Sequence, residues 1–387
     1  MRGKPNRGLD MLNFFLAAVQ TGFGPFVAIY LASQGWSEVE IGMALSIGTI
    51  AMLISQIPGG AIVDVISNKR TTIALGIMGI TLSALMLALS PMYASTILAL
   101  ILQAVASCVI SPSIVAVSLL MVGSAAVGTR LGRNSRFAAI GNGAAAAAMG
   151  GIGALFSTRW VFMFTAMLAV PALASLLVIK IGRLALASKK PEPFLRCAWG
   201  MLHDRRLLIF AICVLFFHLS NGAMLTLAGI EMAKDNSQLA NMVIAICVII
   251  PSIITVILSQ WVGVKADKWG RRPLLLLGWV ALPVRGSMLV LFSGPWLLAS
   301  GQIISGVSAA VFGVMLPLIA TDISRKSGSL NLCLGLLGFT CAVGGMFSIS
   351  IAGLLATTLG SQTAFMALTL VGLVATLLLW ILMPETK

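Results

Sequence analysis

Charge is what this sequence has least of. Of its 387 residues only 9% are charged, with 11 Asp and Glu against 25 Lys and Arg, and just 2 His. A water-soluble domain carries about a quarter charged residues, so no aqueous surface can be drawn from this composition. The shortage of carboxylates and imidazoles also argues against a membrane-embedded enzyme. Such an enzyme would cluster acids, His or a metal near an interface, whereas His203 beside Asp204 reads as a solvated face. Cysteine gives no framework either. Cys108, Cys197, Cys213, Cys247, Cys333 and Cys341 are scattered, and none forms the C-x-x-C spacing of a thiolate metal site or redox pair. No metal and no cofactor is expected.

What the chain has in abundance is apolar sequence, 59% hydrophobic residues with a mean hydropathy of +1.05. A spanning helix needs about 20 apolar residues. Runs of that kind fall at about 9–31, 40–63, 71–90, 95–121, 137–157, 160–180, 207–230, 241–263, 273–293, 296–320, 331–357 and 361–383. The expectation is an all-α integral membrane protein with twelve transmembrane helices. The first run follows MRGKPNRGLD without a cleavage site and reads as an uncleaved span. With the N-terminus inside, 22 basic residues fall in inner segments and two, Arg159 and Lys234, in outer ones. That asymmetry places both termini in the cytoplasm, gives the formal charge of +14 a role in topology, and removes the reason to invoke nucleic acid.

A polar stretch at 182–206, with KKPEP near its centre, divides the chain into halves 1–181 and 207–387. Prolines there disfavour continuous helix, and Phe194 to Leu202 reads as a short interfacial amphipathic segment. The halves share a repeat: GAIVDVISNKR at 60–70 returns as GVKADKWGRRP at 263–273, 203 residues on. Each copy stands at the inner end of the second span of its half. A carboxylate there can sit on a neighbouring helix N-terminus or pair with a loop arginine such as Arg130, Arg133, Arg136 or Arg325.

Twelve spans, a 6+6 division and this doubled loop resemble the major facilitator superfamily of secondary transporters. The family's signature, Gly-x-x-x-Asp-(Arg/Lys)-x-Gly-(Arg/Lys)-(Arg/Lys), is met at Gly263, Asp267, Lys268, Gly270, Arg271 and Arg272. The first copy keeps Gly60, Asp64 and Lys69 but has Val65, Ser67 and Asn68 elsewhere in the pattern. The resemblance implies two pseudo-symmetric six-helix bundles and a cytoplasmic latch of the outward-facing state built on these residues. A Gly-Pro-x-x-Gly-Gly pattern of proton-coupled exporters is partly present, with Gly150 and Gly151 following Ala146 and Ala147.

The family plan puts spans 1, 4, 7 and 10 at a central cavity. Its expected substrate contacts are then Gln20, Thr21, Gln103, Asn142, His218 and Asn221, with Ser107 near Gln103. His218 is the expected proton-coupling group, with Asn221 three residues on sharing its face. Asp10, with Asn13, is the nearest carboxylate substitute. Arg285 lies in an apolar run that should be peripheral, so it must turn inward or snorkel. The inventory lacks paired cations, which favours a neutral, amphipathic or cationic solute. The reading is a secondary active transporter working by alternating access, as a proton-coupled exporter; an uptake symporter or facilitator, or a transporter-derived receptor, are the alternatives. Its partners are a small-molecule substrate, protons and the lipid bilayer of a cell membrane, taken as a bacterial inner membrane, and the protein is expected to be a monomer.

Overall fold

A computed structural model describes residues 6–23, 25–179, 194–228, 237–291, 295–325 and 327–386. Among the described residues, twelve helices are long and apolar enough to cross a membrane. Numbered as spans 1 to 12, they are Arg7–Ser33, Glu38–Val65, Lys69–Leu89, Tyr93–Val122, Val127–Leu155, Thr158–Val178, Arg205–Ala228, Ile249–Trp269, Arg272–Leu291, Ser300–Ser324, Leu330–Leu359 and Ser361–Leu382.

Local signals explain several ends. Asn6 accepts from Leu9 N at the start of span 1, and Ser37 with Glu40 forms a reciprocal capping box at the start of span 2. Span 1 is two helices, Arg7–Thr21 and Pro25–Ser33, interrupted where Gly22 and Gly24 precede Pro25. Pro112, Pro251 and Pro317 stay inside continuous helices. Within the hydrocarbon layer the backbone has no water to turn to, so a helix survives a proline that would end it in solution.

The fifth span differs from the expected 137–157. It begins at Val127, so Arg130, Arg133 and Arg136 sit on its first turns and not in a loop. Hydropathy alone cuts such turns away, yet each of these arginines has a partner that lets it stay helical. The linker expected at 182–206 is described from Phe194 onward, and 182–193 lies outside the described residues. Phe194–Leu202 is helical and touches span 11 through Ser329 Oγ, which donates to Cys197 Sγ at 3.3 Å.

Each half has its own buried core. Leu12, Ile77, Ile110 and Leu176 belong to the first, and Phe210, Trp279, Val314 and Leu379 to the second. Large apolar side chains such as Leu177 and Ile381 are exposed on the outside, as a lipid-facing surface requires. Glu385 receives the backbone N–H of Arg271, and Asn6 donates to Met121, so both chain ends lie at one face of the bundle with the short connections after spans 2, 4, 8 and 10.

The halves meet along spans 2 and 11 and along spans 5 and 8, and glycines measure how closely. Toward the terminal face, a Cβ at Gly132 would stand 2.5 Å from Ser259 O, and one at Gly60 or Gly263 would run into the backbone carbonyl of Asn331 or Gly128. Toward the other face, a Cβ at Gly150, Gly151, Gly345 or Gly353 would meet nothing within 4 Å. The halves are therefore pressed together at the terminal face and splayed at the opposite one.

Candidate functional site

Two aspartates close the terminal face in the same way. Span 11 starts at Leu330, and its N-cap residue Ser329 makes no side-chain capping bond. The free amides are taken by Asp64 of the other half: Asn331 N donates to Oδ1 at 3.1 Å, Leu332 N to Oδ2 at 2.8 Å, and Asn331 Nδ2 to Oδ1 at 2.6 Å. Span 5 likewise starts after Ala126, which cannot cap. There Asp267 comes across from the second half. Thr129 Oγ1 donates to its Oδ2 at 3.2 Å, and its Oδ1 lies so near Gly128 that a Cβ would be 2.5 Å away. A helix N-terminus carries unsatisfied N–H groups and partial positive charge, so a carboxylate held there satisfies both. Asp64 thus caps the start of span 11, and Asp267 reaches the first turn of span 5 through the Thr129 hydroxyl.

The basic residues of the two loops work within their own halves. Lys69 Nζ donates to Val63 O and Ile66 O, closing the end of span 2. Arg271 donates through Nε to Asp322 Oδ2 at 2.8 Å and through Nη1 to Ala266 O at 2.5 Å. The backbone N–H groups of Arg271 and Arg272 both go to Glu385. Gly270 has φ +91°, a left-handed conformation that allows this tight turn, and Glu385 occupies the space where a Cβ would stand. The first copy has Ser67 at that position and no positive φ, so its turn is built instead around Asn68, whose Oδ1 accepts from Thr71 N.

Three of the four arginines expected as latch partners, Arg130, Arg133 and Arg136, go elsewhere. Arg130 Nη2 and Arg133 Nη2 each donate to Asp10 at 2.6 Å, and Arg133 Nε adds a bond of 2.9 Å. Asp10 is 2% exposed and Arg130 6%, so the trio is a buried cluster tying span 1 to span 5. Among the described residues every bond of the Asp10 carboxylate goes to a guanidinium, which ties span 1 to span 5. Arg136 Nη1 reaches across the seam to Gln260 Oε1 at 2.8 Å.

Between the halves lies a cavity of about 270 Å³. Its polar lining comes from Asn13 and Gln20 of span 1, Ser111 of span 4, and Asn134 and Ser135 of span 5, with Gly313 and Pro317 of span 10 opposite. Asn134 is engaged by Arg130 Nε and Ser118 Oγ, and Ser135 by Ser259 Oγ. Gln20 and Ser111 have no hydrogen bond among the described residues and are free to meet a solute.

Of the six expected contacts, only Gln20 lines this cavity. Thr21 Oγ1 bonds Asn142 Oδ1 at 3.0 Å, joining spans 1 and 5 beside it. Gln103 Nε2 donates along span 4 to Ser107 Oγ at 3.1 Å. His218 and Asn221 have different neighbours. The His218 ring sits edge-on to Phe217 and Phe312, with centroids 5.4 and 4.9 Å away, and its Nε2 has no hydrogen-bond partner among the described residues. Asn221 Oδ1 instead accepts from Arg285 Nη1 at 2.9 Å. Arg285 has turned inward from span 9 and is 2% exposed. Sequence reasoning missed Ser111, Asn134 and Ser135, because a Ser or Asn in an apolar helix carries no mark of the face it occupies. It also missed Asp322 and Glu385 as the partners of Arg271, although both stand at the inner ends of spans, where a basic loop could reach them.

Comparison with known proteins agrees with this architecture. The sequence model of the Major Facilitator Superfamily matches residues 9–250 and 210–387. Two Mycobacterium tuberculosis proteins described as uncharacterized MFS-type transporters, one from each of two strains, are 33% identical over 392 residues, covering 98% of this chain and 93% of theirs. A class B tetracycline resistance protein from Escherichia coli is 29% identical over 136 residues, 35% of this chain and 33% of its own. Among solved structures, an E. coli fucose:proton symporter superposes with a TM-score of 0.76 at 14% identity, covering 97% of this chain and 98% of its own. A nucleoside transporter superposes at 0.72 with 16% identity, over 98% of this chain and 100% of its own. The chain is a multi-pass membrane transporter that belongs to the major facilitator superfamily.

Proposed function

We propose that this transporter exports a small organic solute by alternating access, with protons moving in the opposite direction. The observation that carries the reading is the pair of crossed aspartate caps. Both join the halves at one face only, so they stabilise one gate position and are lost in the other, which is what an alternating cycle requires. The 22-to-2 distribution of basic residues makes the terminal face cytoplasmic, so the conformation described is open to the outside. The match to a protein named for tetracycline resistance favours export over uptake.

Replacing both caps tests the gate. Each loss of a charge-assisted cap costs about 1.5–3 kcal/mol in the outward-facing state alone, and each 1.4 kcal/mol is tenfold in population. Asp64→Asn with Asp267→Asn should therefore move the protein toward the inward-open state by roughly a hundredfold or more. Spin labels at Ser67 and Lys268, exposed on opposite halves of the terminal face, would show the distance lengthen. Unchanged distances in the double variant would remove the gating role.

His218 is the proposed proton carrier, as a titratable ring in the interior of span 7 with Nε2 left without a partner. His218→Ala should abolish pH-dependent transport in proteoliposomes yet preserve substrate counterflow, because exchange of solute for solute moves no net proton. The substrate for that assay comes from thermal-shift screening of the purified protein. An alanine variant with the wild-type pH profile would make His218 a packing residue.

A further inference from the structure

Arg285 is held by less than a buried guanidinium ordinarily needs. It is 2% exposed, and its one hydrogen bond among the described residues runs from Nη1 to a neutral oxygen, Asn221 Oδ1. Among the described residues Nε and Nη2 have no partner, and no carboxylate in an ion pair is paired with it. These two atoms are one edge of the guanidinium fork, the edge that grips a carboxylate with two parallel bonds. The same molecule uses that edge twice. Arg133 holds Asp10 through Nε and Nη2, and Arg271 faces Asp322 through Nε and Nη2 at 2.8 and 3.5 Å. In Arg285 the edge is unfilled.

A second donor is unfilled at the same level. Span 10 passes close to Arg285, since a Cβ at Gly301 would stand 3.8 Å from Arg285 Cγ. The next residue, Gln302, is 1% exposed and its Nε2 also has no partner. Asn221, on span 7, is partly exposed. An intramembrane charge that is neither paired nor able to reach water is costly, and its usual reason is a ligand or pathway.

We propose that Arg285, with Asn221 and Gln302, is the binding point for a carboxylate carried by the transported solute. The carboxylate accepts from Nε and Nη2 of Arg285, with Gln302 Nε2 as a further donor. Asn221 fixes the guanidinium plane by occupying Nη1. This rests on the transporter reading above and deepens it by naming a chemical class, an organic monoanion. It replaces the neutral or cationic solute suggested by the sequence, where Arg285 lay on a span expected to be peripheral.

Benzoate and its neutral analogue benzamide are matched probes for purified full-length protein, compared by thermal shift at constant ionic strength. Benzoate should raise the wild-type unfolding midpoint and benzamide should not, because only a ligand that binds the native state stabilises it. Arg285→Gln should remove the benzoate shift, and Arg285→Lys, which keeps the charge but not the fork, should weaken benzoate by about tenfold. Asn221→Ala should weaken it by a similar factor and serves if the Arg285 variants do not fold. Equal responses to the two probes, or a benzoate shift that survives in Arg285→Gln, would overturn the proposal. So would a shift that emerges only in Glu231→Gln with Asp235→Asn, since the fork would then be filled by a carboxylate from the 229–236 segment, which lies outside the described residues. The spin-label distances across the terminal face do not involve Arg285, so failure here leaves the gating result standing, and failure there leaves this one.

Discussion

Asp10→Ala is expected to lower the unfolding midpoint of the purified protein by on the order of 10 °C. The carboxylate is 2% exposed and is, among the described residues, the one anion paired with Arg130 and Arg133 between spans 1 and 5. Removing one partner of a buried pair costs about 3–5 kcal/mol, because the remaining charge cannot be rehydrated. Arg133, at 32% exposure, can turn to solvent; Arg130, at 6%, keeps only Asn134. At roughly 2–4 °C per kcal/mol for a chain of this scale the shift is large. Positions 203 residues on from Arg130 and Arg133 are Cys333 and Leu336, so the second half builds the same helix start without an ion cluster. The triple variant Asp10→Leu, Arg130→Cys, Arg133→Leu should therefore recover most of the loss, since an apolar replacement of a whole buried cluster is often neutral or better. A midpoint for Asp10→Ala within about 2 °C of wild type would show that the cluster is dispensable.

The second large effect is expected from the seam glycines. At Gly60 and Gly263 the opposing backbone carbonyl stands where a Cβ would go, so the neighbour is not a flexible side chain that could move aside. Gly60→Leu with Gly263→Leu should force spans 2 and 11, and spans 5 and 8, apart at the terminal face. Overpacking costs about 1–3 kcal/mol per site where it can be relieved by small shifts. Here relief comes from opening the gate, so the cost falls on one state and the population moves by about one to four decades. Protection of a cysteine placed at Ser135, at the seam beside the cavity, should fall sharply toward reagents added at the terminal face. Equal labelling in variant and parent would mean that the helices can approach by another register. Leucine at Gly150 and Gly151, where there is open space within 4 Å, should leave that labelling unchanged.

Much of the fold was legible because a bilayer turns it into one-dimensional quantities. Hydropathy and the spacing of basic residues locate twelve spans without any knowledge of what touches what, and the repeat at 60–70 and 263–273 marks where the two halves meet at the terminal face. Asp64 and Asp267 stood out because a carboxylate at a span end with glycine four residues before it is rare in so apolar a chain. The start of span 5 at Val127 was not legible, because Arg130, Arg133 and Arg136 depress hydropathy there and their partners Asp10 and Gln260 lie more than a hundred residues away.

The cavity shows the same limit from the other side. His218 and Asn221 are three apart and share a helical face, yet one ring lies among Phe217 and Phe312 and the other side chain meets Arg285. Periodicity says which residues of a helix face together but not what faces them. The amino-acid sequence by itself determined the membrane environment, the number of spans, the two-fold repeat and the paired carboxylates within it, because each depends on composition or spacing along the chain. Only the tertiary structure decided which helix ends the two aspartates cap, that the span 5 arginines serve Asp10, and that Arg285 points inward with one edge of its fork unfilled, because those depend on helix rotation and on packing between halves.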